Sequence, residues 1–250
     1  SVGPGYLVAS NGKTLWQVTM GLNLASTWID VGTLAISDAI IPATDMLVVS
    51  TDVWIATDGA GLFHYSGGSV QQYDTQNVLA SDRVVDLEMA GTYLLIGLAD
   101  AGVARRDLST GNWVATWNTG NWLLSDEIHS MSAVSGWVHI LADDVVYSYN
   151  TTSLSFSSSW TISDLNLARA TGQILIPWPS GGNRAPMDNT VLVGDGSGTF
   201  TILRPNTLGH GWMGNSWDQM ALASGPSVTD MSDVVELNGI LYISGFHELE

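Results

Sequence analysis

The sequence contains no cysteine, a single lysine and no long apolar run. Without cysteine, its 250 residues can form no disulfide bond, catalytic thiol or thiolate metal site. A membrane-spanning helix needs about 20 consecutive apolar residues, and no run in this sequence approaches that length. The sequence carries no signal peptide, and we expect this chain not to insert into a membrane.

Acidic residues strongly outnumber basic ones. The chain has seven basic residues, which are Lys13 and the arginines, and 24 acidic residues. Its net charge is −17. Because such a chain repels phosphates, we expect no nucleic acid partner. Aspartates outnumber glutamates by 19 to 5, which is typical of aspartates that hydrogen-bond backbone N–H groups in turns. Adaptation to a salty or extracellular setting and calcium binding are the alternatives.

Glycine is abundant, whereas charged residues are scarce. The chain has 27 glycines, and only 12% of its residues are charged. Many short strands joined by glycine turns produce this balance. An apolar content of 45% is enough for a sizeable core, either in one large β domain or in two smaller ones.

A Ser-Asp pair recurs at a constant spacing along the chain. Ser37-Asp38, Ser81-Asp82 and Ser125-Asp126 lie 44 residues apart. Each pair follows a short apolar segment and precedes a strand-like stretch. No stretch longer than about ten residues has a helical period, so the spacing indicates a repeat of strands.

A hairpin motif recurs as well, with an apolar strand, a turn of Asn, Asp or Gly, and a second strand. It is clearest at 55–65 and also occurs at 8–18, 96–106, 140–149 and 191–202. Tight hairpins need positive φ, which Gly and Asn adopt easily. A more polar segment, typical of an outer strand, closes the units. Four antiparallel strands per unit of about 44 residues predict an all-β fold, the β-propeller.

The segments LASDRVVDLEMAGTYLLIGLADAGVARRD and VWIATDGAGLFHYSGG resemble the two-component regulator propeller repeat. A blade of that family contains Leu-x-x-Asp-x-Val-x-x-Ile, a strand that ends in Trp-Ile-Gly-Thr, and then Gly-Gly-Leu. The best match is 53–62, with Ala56 where the family usually has glycine. The resemblance covers about residues 35–165. It implies a propeller fold and, often in that family, an extracellular sensing or binding domain.

The repeat predicts five blades, with the chain ends joined in one of them. The blades are expected at 1–36 plus 227–246, 37–80, 81–124, 125–171 and 172–226. The alternative is a part of a larger ring of six to eight blades. Leu249-Glu250 resembles residues added during cloning, and the chain is interpreted as a possible fragment.

Two segments interrupt the repeat, and the predicted ligand-binding region is either the loops of 179–226 or the mouth of the channel. Residues 179–190 lengthen one loop, and residues 205–226 replace an outer strand and its linker. Extra loops on a rigid scaffold often carry function, although tolerated insertion explains them equally well. Exposed aromatic rings can stack on a ligand or anchor a protein partner. The predicted ligand-binding residues are Trp178, Arg184, His210, Trp212 and Trp217. Trp117 and Trp122 also lie near loops.

No constellation in the sequence points to catalysis or to a bound metal. The five histidines have no zinc-ligand spacing, and His64 and His139 are interpreted as structural residues. We predict no catalytic residue, no metal ligand and no cofactor. Calcium held by Asp143-Asp144, by the segment 195–198 or by aspartates of separate blades is the alternative.

The residues favour a binding or scaffolding propeller that is not an enzyme. It would be the ectodomain or a fragment of a secreted or surface protein, with a protein, a glycan or a small molecule as partner. The alternative is a glycan-active hydrolase or lyase that uses carboxylates at the central channel, since glycosidases require a carboxyl pair. A piece of a large adhesin or sensor without separate activity is a third interpretation.

Overall fold

The structure is a computed structural model that describes residues 43–134 and 136–161 and, as backbone strands, ten further segments. These segments are 2–3, 6–10, 14–19, 29–33, 174–178, 190–194, 199–203, 219–221, 230–237 and 240–246. The described residues form strands and turns and no helix, which confirms the all-β prediction. None of them belongs to a helix long and apolar enough to cross a lipid bilayer.

The strands form six antiparallel sheets in chain order. The first sheet contains β1 (Val2–Gly3), β2 (Tyr6–Ser10), β3 (Thr14–Thr19) and β4 (Ile29–Thr33). The second contains β5 (Ala43–Val49), β6 (Asp52–Thr57), β7 (Leu62–Ser66) and β8 (Ser69–Tyr73). The third contains β9 (Val84–Ala90), β10 (Tyr93–Leu98), β11 (Gly102–Asp107) and β12 (Trp113–Trp117). The fourth contains β13 (Ile128–Val134), β14 (Trp137–Ala142), β15 (Val145–Asn150) and β16 (Ser155–Thr161). The fifth contains β17 (Ile174–Trp178), β18 (Thr190–Gly194), β19 (Thr199–Leu203) and β20 (Gln219–Ala221). The sixth contains β21 (Asp230–Leu237) and β22 (Ile240–Phe246).

Each four-stranded sheet has the simple order of a propeller blade. Consecutive strands pair antiparallel, and the chain passes through each sheet once. The first strands of neighbouring sheets contact one another, as in β5 with β9, β9 with β13 and β13 with β17. This arrangement is the one expected when first strands surround a common axis.

The second strands of the central sheets, β6, β10 and β14, are largely apolar because both faces of each of these sheets are covered. Leu94 and Ile96 of β10 pack in a core with Trp54 and Leu62 of the second sheet. Leu95, which points to the opposite face, packs in a core with residues of the fourth sheet. Neighbouring sheets therefore bury each other, and the contacts between sheets form most of the described core.

The recurrent Ser-Asp pairs connect one blade to the next. The backbone carbonyl of Asp82 accepts a hydrogen bond from the N–H of Gly61, at 2.7 Å, in the hairpin turn of the second sheet. The carbonyl of Asp126 accepts one from Gly102 in the third sheet, at 2.8 Å. The two pairs in the described residues thus fasten the turn of the blade before them.

The side chains of the same pairs shape the loops that enter each blade. The Asp82 carboxylate accepts from the N–H and hydroxyl of Thr75 at 2.7 and 2.9 Å. Asp126 accepts from Thr119 in the same way, at 2.6 and 3.0 Å. Ser81 accepts from the N–H two residues further on, at 3.1 Å. Asp and Ser are suited to these turns because their short side chains reach nearby backbone groups.

Carboxylates on the first strands bind the backbone of the following blade. Asp45 of β5 accepts a hydrogen bond from the Leu87 N–H at 2.9 Å. Asp86 of β9 accepts one from the Met131 N–H, and Glu88 accepts one from Ala133. Burial, and then the charge of Asp45, raises the pKa of Asp86 well above its usual range. Burial also raises the pKa of Glu88 to about 7.

The two ends of the chain form sheets of their own. Strands β1–β4 make a complete four-stranded sheet, and β21 and β22 make a two-stranded one. The side chains of both sheets lie outside the described residues. The predicted blade limits, the five-blade count and the closure through joined ends stay predictions.

Gly102→Ala is expected to destabilise the protein strongly. Gly102 has φ +80°, and an added Cβ would lie 2.1 Å from the Trp117 carbonyl oxygen. The left-handed conformation costs about 1–2 kcal/mol for a non-glycine residue, and the clash adds about 1–3 kcal/mol. Gly91→Ala is the control, since Gly91 has φ +65° with no atom within 4 Å. Urea unfolding should show a clearly larger loss for Gly102→Ala, and equal losses would contradict the close approach.

Glu88→Gln is expected to flatten the pH dependence of stability. Because the pKa of Glu88 is raised to about 7, the folded state binds the proton more tightly than the unfolded state. The stabilising effect of protonation is present below about pH 4.5 and is lost as the pH rises through 7. The loss is on the order of 3 kcal/mol. Denaturant unfolding between pH 5 and 8 measures it.

Glu127→Gln is the control for this prediction, because the Glu127 side chain is 57% exposed. We expect the wild type and Glu127→Gln to lose stability towards pH 8 and Glu88→Gln to lose less. Identical pH profiles for all three proteins would rule out the buried state of Glu88.

Candidate functional site

Strand β11 carries two successive arginines that point to opposite faces of the third sheet. Neighbouring residues of a strand alternate between faces, so Arg106 faces the second sheet and Arg105 faces the fourth. Each guanidinium lies over aromatic rings at its interface. The two interfaces can therefore be compared directly.

The interface between the second and third sheets places Arg106 among aromatic rings. The Cζ atom of Arg106 lies 4.8 Å from the ring centroid of Tyr73 and 5.3 Å from that of Trp113. It is also 5.6 Å from the centroid of Trp54, which stacks on His64 at 3.8 Å and an interplanar angle of 2°. This guanidinium therefore makes cation–π contacts with three rings of the protein.

The interface between the third and fourth sheets contains an open cavity. The Cζ atom of Arg105 lies 4.4 Å from the ring centroid of Trp117. The Trp117 ring packs against Tyr149 and Phe156, with centroids at 4.5 and 5.0 Å. Between these groups and the rim is a volume of about 250 Å³. This aromatic cavity is lined by Tyr93, Arg105, Trp117, Trp122, Tyr149, Leu154, Ser155 and Phe156.

Two large apolar side chains form the rim of the aromatic cavity. Trp122 is 59% exposed and Leu154 is 58% exposed, and the Trp122 ring lies 5.7 Å from that of Phe156. Trp122 comes from the loop before a Ser-Asp pair. The corresponding residue of the preceding repeat, 44 positions earlier, is Val78. A large ring thus occupies a solvent-facing position where the neighbouring repeat has a small side chain.

The rim loop is held in place by hydrogen bonds at both ends. The backbone N–H groups of Trp122 and Leu123 both donate to the Asn118 carbonyl, at 3.0 and 3.1 Å. The Leu124 N–H donates to the hydroxyl of Tyr147 in the fourth sheet, at 2.8 Å. Leu123 itself is buried in the core between the sheets. The exposed Trp122 therefore stands on a supported loop.

The polar groups of the aromatic cavity are affected by burial. Burial lowers the pKa of the Arg105 guanidinium. Burial also raises the pKa of Tyr149, and nearby Arg105 partly opposes this. The Arg105 Nε–H donates to the Ala115 carbonyl at 2.8 Å, which fixes the plane of the guanidinium. The cavity therefore offers aromatic faces, one oriented cation and tyrosine hydroxyls.

The residues predicted from sequence fall in two groups. Trp178, Arg184, His210, Trp212 and Trp217 have side chains outside the described residues, so their role as a ligand site stays a prediction. Trp117 and Trp122, noted for their position near loops, meet in the aromatic cavity. The sequence reasoning missed Arg105, Tyr93, Tyr149 and Phe156. The alternation along β11 is the signal that could have placed Arg105 on the face of the fourth sheet.

The described histidines have structural partners, as predicted for His64 and His139. His64 Nε2 lies 3.0 Å from an oxygen of Asp52, and His139 Nδ1 lies 2.8 Å from the Ser148 hydroxyl. Complete burial lowers the pKa of His139 to about 3. Asp143-Asp144 forms the turn between β14 and β15. Within 43–134 and 136–161, no three His, Asp or Glu side chains are grouped to hold a metal ion.

Asp86 and Glu88 on the first strand of the third sheet meet one condition for a glycan-active enzyme, because burial raises their pKa values. Their oxygens are engaged, however. Asp86 accepts from the N–H groups of Leu87 and Met131, and Asp45 accepts from Met46 and Leu87. None of these carboxylates lines the aromatic cavity. Their contacts are those of groups that join blades.

Comparison with known proteins identifies the fold. No family model matches the sequence, and no curated protein matches it. Among solved structures, the extracellular domain of the putative one-component system BT4673 from B. thetaiotaomicron superposes with a TM-score of 0.64 at 15% identity, over 96% of this chain. That of the putative hybrid two-component system BT3049 from the same organism has a TM-score of 0.58 at 16% identity, over 95% of this chain.

A third solved structure, BamB from Moraxella catarrhalis, has a TM-score of 0.55 at 13% identity. The match covers 98% of this chain and 65% of the BamB chain. The chain spans only 32% of the length of the two B. thetaiotaomicron structures. At these identities the likeness concerns the fold alone. The resemblance to the two-component regulator propeller repeat is therefore confirmed for the fold. The sheets described above have the fold of these extracellular domains.

Proposed function

We propose that this chain is a non-enzymatic, ligand-binding propeller domain of a secreted or surface protein, and that the aromatic cavity binds the ligand. The observation that carries the proposal is the exposed Trp122 on the rim of a 250 Å³ cavity. Concave sites with aromatic walls and few polar groups are the usual form of small-molecule sites. An exposed aromatic cluster without a partner would be costly on a soluble surface.

The placement of the cavity also favours binding. Its walls belong to two sheets, and binding sites occur preferentially where packed units meet. The rings are held before any ligand arrives, since Trp117 is buried and Phe156 contacts Trp117, Tyr147 and Tyr149. A rigid arrangement of aromatic groups lowers the entropic cost of binding.

The fold neighbours support a location outside the cytoplasm. The structures of BT4673 and BT3049 are described as extracellular domains of a putative one-component and a putative hybrid two-component system. We infer that this chain has a comparable place in a longer protein and that it senses or binds a ligand there. The carboxylates of the first strands already bind backbone N–H groups of neighbouring blades, so a hydrolase or lyase is not proposed.

Trp122→Val is expected to remove ligand binding while the fold is kept. Valine is the residue of the preceding repeat at this position, as Val78, and the side chain is exposed, so stability should change by no more than about 0.5 kcal/mol. The probe is a library of single-ring compounds with acidic, neutral and basic members, screened by ligand-observed NMR. We expect some members to bind the wild type and to bind Trp122→Val at least five-fold more weakly.

The matched control is Val78→Ala, a substitution at the equivalent loop position of the other interface. It should leave binding of the same compounds unchanged. The proposal fails if no member binds the wild type, or if Trp122→Val binds as well as the wild type does.

A further inference from the structure

The hairpins of the second and third sheets are equivalent residue by residue. Residues 52–66 align with 93–107 without a gap. The strand pairing agrees, because Trp54 pairs with His64 and Leu95 pairs with Arg105. Arg105 therefore stands in its blade where His64 stands in the preceding blade, and Tyr93 stands where Asp52 does.

In the second sheet, the side chain of His64 lies next to a carboxylate. His64 Nε2 lies 3.0 Å from Asp52 Oδ2. The Ser66 hydroxyl donates to the other oxygen of Asp52 at 2.6 Å. Both oxygens of this carboxylate are therefore bound within the blade, and the site is closed to a ligand anion.

In the third sheet, the carboxylate is missing from the equivalent place, because Tyr93 replaces it. The nearest acidic residue along the strand is Asp107, at the position of Ser66. Its oxygens accept from the N–H and hydroxyl of Ser109 and from the hydroxyl of Thr110. Across residues 43–134 and 136–161, no carboxylate forms an ion pair with Arg105.

Arg105 is thus a partly buried cation without a protein counter-ion in the described part of the chain. Burial disfavours its charged form, and an unpaired buried charge is costly. Arginine binds carboxylates through two parallel N–H bonds. The Nε–H is used by the Ala115 carbonyl, and the Nη atoms remain to carry such bonds. The guanidinium lines the aromatic cavity.

The volume of the cavity limits the size of the part of the ligand that does not bind Arg105. Sites for drug-sized molecules measure about 300–1,000 Å³, and this cavity measures about 250 Å³. One flat ring therefore fits between the walls. Trp122 and Phe156 offer ring faces with centroids 5.7 Å apart, and stacking adds to apolar burial.

We propose that the aromatic cavity binds a small carboxylate that carries one planar ring, with the carboxylate on Arg105 and the ring beside Trp122 and Phe156. This inference rests on the proposed function and narrows it to one chemical class of ligand. The carboxylate occupies the role that Asp52 has in the preceding repeat. The ring occupies the space between the walls and the rim.

The test compares phenylacetate with phenylacetamide, which has the same ring and shape but no charge. Their dissociation constants are measured by NMR titration against the wild type, Arg105→Gln and Arg106→Gln. We expect phenylacetate to bind the wild type at least ten-fold more tightly than phenylacetamide. Arg105→Gln should remove this preference and leave the weak binding of phenylacetamide intact. Arg106→Gln, one residue away on the opposite face, should keep the preference.

Trp122→Val assigns the binding to this cavity, since it should weaken both compounds by a similar factor. Equal binding of the two compounds to the wild type, or an unchanged preference in Arg105→Gln, would overturn the inference and leave the proposed function standing. If no single-ring compound of any charge binds, both the inference and the proposed function fail. The inference is also overturned if Trp122→Val leaves the dissociation constant of phenylacetate unchanged, because the anion then binds elsewhere.

Discussion

The packing of one sheet on the next is the constraint from which the rest of the structure follows. Each central blade buries apolar residues on both faces, and a four-stranded sheet alone could not cover them. The Asp82 and Asp126 carbonyls fasten the glycine turns of the preceding blades, and carboxylates on the first strands bind the backbone of the blades that follow. The position of each central blade is therefore defined by its contacts with the two neighbouring blades.

The same constraint explains why the proposed binding site lies between two sheets and not within one. Along β11 the alternation of side chains sends Arg106 to the interface with the second sheet and Arg105 to the interface with the fourth sheet. At both interfaces a cation lies among aromatic rings. The interfaces differ at several equivalent positions, among them Arg105 for His64, Tyr93 for Asp52 and Trp122 for Val78. The aromatic cavity lies at the interface that carries these exchanges.

The sequence was sufficient to predict the repeat, the antiparallel strands and the propeller, because Ser-Asp spacing and glycine turns are local signals. It also singled out Trp117 and Trp122 by their nearness to loops. It could not place Arg105, Tyr149 and Phe156 together, because they come from two blades and are joined only by the packing of sheets. Nor could it show that the acidic residues of the first strands are bound to backbone N–H groups. Acidic residues on strands are compatible with a catalytic role as well as with a structural one, and the hydrogen bonds favour the structural role.

The walls of the aromatic cavity belong to two sheets, with Trp117 on β12 and Phe156 on β16. A molecule held between them would act as a wedge, because its contacts on one side move with the third blade and those on the other side with the fourth. By thermodynamic linkage, a ligand that prefers one separation of the blades favours that separation, and any force that spreads the blades alters the affinity. In the proposed site, binding of a ligand would therefore be coupled to the separation of the third and fourth blades.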